Sequence, residues 1–208
     1  MNDGAARAGV GVMRVSGPLR LLGCVLLAVV LAACQGKKEQ EKSMMDMQQA
    51  GQRAEEILDG TMAAIHPAVK WVHGSTSESA CSTGLNRPTG TTTVFRSRNI
   101  LTVVSKERRG ELLEQVRRYW EQQGVRDFDI DSDKDMPGIR ATTADEFTVM
   151  LQVGSIGNVF VDAGAGCVED SAMTYPTGTP GQPGGPNKAE LKPREHSDFW
   201  SSGGPRRK

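Results

Sequence analysis

The chain has 208 residues, and its 25 basic and 25 acidic side chains cancel to a formal net charge of zero. Such a balance gives no electrostatic footprint for nucleic acid, which asks for a strongly basic face or stripe. Hydrophobic residues make up 38% and glycines number 24, so only part of the chain is expected to bury a core.

The first element in chain order is the apolar run Leu21–Cys34, with Arg14 and Arg20 ahead of it and no acidic residue between them. It falls short of the roughly 20 apolar residues that cross a bilayer. It fits the hydrophobic region of a secretory signal, with the arginines as the positive leading segment. Met13 stands as an alternative start. The run closes on Leu31-Ala32-Ala33-Cys34, which resembles the lipobox of bacterial lipoproteins. That resemblance implies cleavage between Ala33 and Cys34, a diacylglyceryl group on the Cys34 sulfur, and a lipid anchor on the extracytoplasmic face of the cell membrane. The alternative is an ordinary secretory signal cut at the same place, with Cys34 unmodified. Leader and composition together are similar to lipoproteins of Gram-positive actinobacteria, including the mycobacterial LppA-like group, a likeness that assigns no activity.

With residues 1–33 as signal peptide and Cys34 taken by lipid, Cys81 and Cys167 remain as a lone pair in the exported chain. Outside the cytosol their expected fate is a disulfide. Closing so long a loop stabilises a fold by about 4 to 5 kcal/mol in the chain-entropy picture. Two free thiols, redox-active or metal-bound, are the competing reading; there is no Cys-x-x-Cys spacing and no adjacent histidine to favour it. Residues 34–42 form the lipidated cysteine and a polar tether, whose eight residues after Cys34 reach about 26 to 29 Å when extended.

The globular part is expected over 43–170. Met44, Met47, Ala50, Ala54, Ile57, Leu58 and Ile65 recur at helical spacing, with Ser43 and Asp46 as a capping box and Pro67 as the stop. The Met stripe reads as core, and Gly51 and Gly60 make this helix depend on tertiary support. Val69–His73 is a short strand, Gly74–Gly90 a long loop holding Cys81, and Thr91–Val104 either two strands or one with a bulge near Ser97. Arg87, Arg96 and Arg98 read as a solvated strand face, with a gathered anion site as the alternative. A second helix follows Ser105, presenting Leu112, Leu113, Val116, Tyr119 and Trp120 on one face and ending at Gly124.

Asp127, Asp129, Asp131, Asp133 and Asp135 alternate with other residues, so an extended chain sets all five on one face. Asp131, Asp133 and Asp135 are the weak metal candidates; calcium needs a curled loop, and counting from Asp131 the EF-hand positions carry Met136 and Thr142 instead of Gly and Glu. An acidic edge strand is the reading preferred. Three strands complete the domain: Ile139–Thr143, Phe147–Val153 and Asn158–Val161, with Gly154–Gly157 as a hairpin and Cys167 just beyond the last strand. The fold class expected is α+β, two helices on one face of a largely antiparallel sheet.

Gly164-Ala165-Gly166 has Glu169 where a dinucleotide fingerprint needs its third glycine, and Gly154–Gly157 lacks the nucleophile-elbow spacing. No catalytic residue is assigned and no cofactor is implied. Residues 171–208, rich in Pro and Gly, read as a disordered tail, with His196–Trp200 an aromatic island in it whose docking onto this domain or a partner is the alternative. The function expected is a lipid-anchored, non-enzymatic binding or envelope-interaction module: membrane contact through Cys34, a protein or envelope partner, and no nucleic acid. An extracytoplasmic hydrolase and a small-ligand carrier are the alternatives.

Overall fold

Helix α1 (Met47–Ala63) begins at Asp46, whose carboxylate accepts from the Gln49 backbone N–H while the Gln49 side chain accepts from the Asp46 N–H. The reciprocal cap is thus built on Asp46 and Gln49, with Asp46 in the extended conformation that a cap requires. The computed structural model describes residues 45–203. The expected signal peptide, the lipidation candidate Cys34, the expected tether and Ser43 lie outside them. No helix among the described residues is long and apolar enough to cross a membrane.

After α1 come β1 (Trp71–His73), β2 (Ser77–Ser82), β3 (Pro88–Ile100), α2 (Lys106–Gln122), β4 (Arg126–Asp131), β5 (Gly138–Thr142), β6 (Thr148–Val153) and β7 (Val159–Glu169). The described strands make one antiparallel sheet in the order β1-β3-β7-β6-β5-β4, with β2 also paired to β3. With two helices against it, the fold is α+β, as the order of patterns predicts. The expected loop over Gly74–Gly90 is largely β2 and the start of β3. Its Ser- and Thr-rich composition suits a strand exposed along most of its length.

Alternation along the strands sorts side chains between two faces. Val94 and Ile100 of β3, Val149, Leu151 and Val153 of β6, and Val159, Val161 and Ala163 of β7 are buried beneath the helices. They meet Ala50, Ala54, Leu58 and Met62 of α1 and Leu112, Val116 and Trp120 of α2. The indole N–H of Trp120 donates to the Thr61 hydroxyl at 2.8 Å, which donates to the Ile57 carbonyl, so this buried cross-helix contact leaves no polar group unpaired. Gly60 lets Tyr119 of α2 lie against α1, and Gly51 does the same for Arg96 and Met173. Both glycines that weaken the isolated helix are thus points of close packing.

Cys81 and Cys167 form a disulfide with Cα atoms 6.1 Å apart. Cys167 lies within β7, which runs eight residues beyond the expected Val161, to Glu169. The bridge joins the strands on either side of β3. Register shifts occur beside both half-cystines, between Ala80 and Ser82 and between Thr92 and Val94, and such shifts bend and twist the strands locally.

The segment after Asp170 corrects the expectation of an unattached disordered tail. Gln48 accepts from the Thr174 N–H and hydroxyl, Glu195 pairs with Thr102 in a parallel bridge, and Trp200 is fully buried in the core with its indole N–H on the Pro67 carbonyl at 2.6 Å. Composition ruled out a core made by this segment alone. It does not rule out a strap that adds single anchors to an existing one.

Candidate functional site

The helix-free face of the sheet is set by the odd-numbered positions of β3 and the even-numbered positions of β7. Register places Phe95 opposite Gly164, Ser97 opposite Asp162, and Asn99 opposite Phe160. The Ser97–Asp162 row therefore lies between a row bearing Phe95 and a row bearing Phe160, each about 6.6 to 6.8 Å away along the strands. A Cβ on Gly164 has no room beside the Phe95 ring, so the glycine gives that ring its place.

The chain between β1 and β2 closes the site above these rows. Gly74 donates its N–H to the Ser97 carbonyl at 2.8 Å, and a side chain there would collide with Ser97 and Asn99. Ser75, Thr76 and Ser77 follow as the rim of a cavity of about 320 Å³, whose other lining includes Phe95, Ser97, Asn99, Phe160 and Asp162. Asn99 also donates to the Leu191 carbonyl at 3.5 Å, which brings the C-terminal strap to the side of the site. Burial pushes the Asp162 carboxyl above the ordinary aspartate value, and a hydrogen bond from Ser97 opposes this in part. The cavity thus joins two aromatic rings to hydroxyls, one amide and one desolvated carboxyl, the mixture of apolar wall and few polar groups typical of small-ligand sites.

The opposite face carries a buried charge cluster. Arg96 and Arg98 are 2% and 1% exposed, which corrects the reading of a solvated arginine face. Arg98 donates to Glu55 at 2.5 Å and Asp59 at 2.6 Å, and Arg96 to Glu78 at 2.6 Å. Tyr175 lies over Arg96 and Trp71 over Arg98. Arg87 is exposed and apart from them. With three carboxylates already on two guanidiniums, the cluster is an internal ion network rather than an anion site. His73 has its Nδ1 3.6 Å from Glu55, and burial together with Arg98 holds it below the ordinary imidazole value. Among the described residues no histidine lines the helix-free cavity.

The aspartate ladder comes apart. Asp127 has a left-handed φ of 56° inside a register shift, leaving Asp129 and Asp131 to share the helix-free face of β4, opposite Arg140 and Gly138. Asp133 and Asp135 lie beyond the strand in a turn. Asp131 accepts from the Asp133 N–H, and Asp133 from the N–H groups of Asp135 and Met136, which holds Asp133 below the ordinary aspartate value. Asp135 pairs with Lys106 at 2.5 Å. Among the described residues no three such ligands converge as a metal site, and β4 is an acidic edge strand as expected. A cavity of about 380 Å³ between this turn and α2 is lined by charges of both signs, and Arg117 and Lys106 there are already paired to Glu114 and Asp135.

The sequence reading assigned none of Phe95, Ser97, Asn99, Phe160 or Asp162 to a site. The available signal was Asp162 itself, a charged residue set in the apolar run Val159-Phe160-Val161-Asp162-Ala163. No protein-family model matches the chain, and no curated protein matches it. Among solved structures the chain is similar to a DUF4853 family protein from Actinomyces odontolyticus ATCC 17982, at 15% identity and a TM-score of 0.39, over 70% of this chain and 80% of that one.

Proposed function

We propose that the protein is a lipid-anchored, extracytoplasmic binding protein, tethered through Cys34 and using the helix-free cavity as its ligand site. The observation that carries the binding reading is the cavity floor, where Ser97 and Asp162 sit between two phenylalanines on rigid neighbouring strands. Sites built on paired strands hold their polar groups in place before a ligand arrives, which lowers the entropic cost of binding. The anchoring rests on Leu31-Ala32-Ala33-Cys34, and the Cys81–Cys167 disulfide suits the oxidising space outside the membrane. A diacylglyceryl group provides two acyl chains, enough for stable attachment without a second signal.

Two experiments test this. The full chain carrying Cys34→Ala is expected to leave the membrane fraction for the soluble one; retention on membranes after a high-salt wash would contradict lipidation there. For binding, thermal unfolding in a panel of soluble amines, sugars and amino-acid derivatives is expected to show ligands that raise Tm of the native chain but not of Ser97→Trp, which fills the cavity. Equal stabilisation of both chains would remove this cavity as the ligand site.

A further inference from the structure

We propose that the helix-free cavity takes a small ligand bearing a primary ammonium on a short apolar stem, its nitrogen on the Asp162 carboxylate and its stem against Phe95 and Phe160. This deepens the ligand-site reading above and rests on it.

The site leaves one charge uncompensated. Asp162 is a partly buried carboxylate whose hydrogen-bonding neighbour is the uncharged Ser97 hydroxyl. Arg96 also borders the cavity, but its guanidinium is turned to the helix side, 2.6 Å from Glu78 and 3.7 Å from Glu55. Further along the same row the register runs Asp162, Met150, Arg140. Arg140 is thus two strands away, with Met150 between, and stands opposite Asp129 on β4. Burying a carboxylate is costly unless a cation or several donors repay it. Among the described residues lining this cavity, none offers such a cation.

Ligand chemistry follows from that deficit. An anion would add repulsion. A neutral polyol would find hydrogen-bond partners in Asn99 and the hydroxyls yet leave the carboxylate charge unmatched. An ammonium matches the charge, can donate to Asp162 and to neighbouring oxygens, and gains from aromatic rings close to a cation. The apolar stem follows from the two phenyl rings flanking the Ser97–Asp162 row.

The test compares Nα-acetyl-lysine amide with its neutral counterpart, Nα,Nε-diacetyl-lysine amide, by calorimetric titration of the full chain in detergent. The ammonium probe is expected to bind at least about tenfold tighter than the neutral one, the ratio a charge-assisted hydrogen bond supports. Asp162→Asn, its fold checked by circular dichroism, is expected to abolish that ratio, and Asp162→Glu to retain part of it. Equal affinity for the two probes, or a preference that survives Asp162→Asn, would overturn the assignment. If N-acetylglucosamine binds and neither lysine amide does, the cavity is a ligand site for neutral molecules and only the ammonium assignment falls. The separate Ser97→Trp comparison decides whether the cavity binds at all.

Discussion

Asp162 stands directly opposite Ser97 across the β3–β7 ladder, on the face of the sheet turned away from both helices. A carboxyl in that position costs the fold something, because burial raises its pKa. The folded chain holds the Asp162 proton more tightly than the unfolded chain does. Its contribution to stability is therefore greatest below the unfolded value, near pH 4, and is lost as pH rises through the raised folded value. Asp162→Asn, which stays neutral, is expected to have a higher denaturant midpoint than the native chain at pH 7. The gap is expected to close below about pH 4. A gain in stability with a loss of binding is the signature of a residue kept for function.

The disulfide links β2 to β7 across β3 and closes a loop with a sequence separation of 86. Replacing Cys81 and Cys167 together by Ser is expected to lower unfolding free energy by about 2 to 5 kcal/mol. Urea titration of the native chain and the double-serine variant measures it. The pair of cysteines was legible in the sequence because reading Cys24 as part of a leader and Cys34 as a lipid site left only these two. Its position was not: the apolar pattern ends that strand at Val161 and sets Cys167 just beyond it. The structure uses Gly164 to admit the Phe95 ring and carries the strand on to Glu169.

Trp200 is completely buried, with its indole N–H on the Pro67 carbonyl. Trp200→Ala is expected to destabilise the domain by about 3 to 5 kcal/mol, read as a shift in the urea midpoint. An unattached tail would give no shift. Tail composition misled here because Pro and Gly report what a segment can do alone, whereas one tryptophan needs only a pocket supplied by others. In the same way Arg96 and Arg98 looked solvated, because nothing local in Arg96-Ser97-Arg98 announces that Glu55 and Asp59 will descend on them from α1.

Glu55 lies within ion-pair distance of Arg98, at 2.5 Å, and Arg96, at 3.7 Å. Removing it by Glu55→Ala leaves Arg98 with Asp59 alone and Arg96 with Glu78 alone, and the expected loss is about 2 kcal/mol, below that of a fully unpaired buried charge. Double substitution with Arg98→Met is expected to recover much of that loss, since an apolar replacement leaves less charge to compensate. The comparison of single and double variants by urea unfolding measures the coupling. The helix-face and helix-free arginines and carboxylates thus divide into a structural network and an uncompensated site. Helices, core strands and fold class followed from periodicity; that division required the strand register, which no local pattern contains.

The ammonium site at Asp162 is tested by following backbone amide chemical shifts of the isotopically labelled full chain as Nα-acetyl-lysine amide is added. Saturable shifts are expected, concentrated at Ser97, Asn99, Phe160 and Asp162 and absent in Ser97→Trp. Shifts centred on the cavity between α2 and β4, or unchanged by Ser97→Trp, would contradict it.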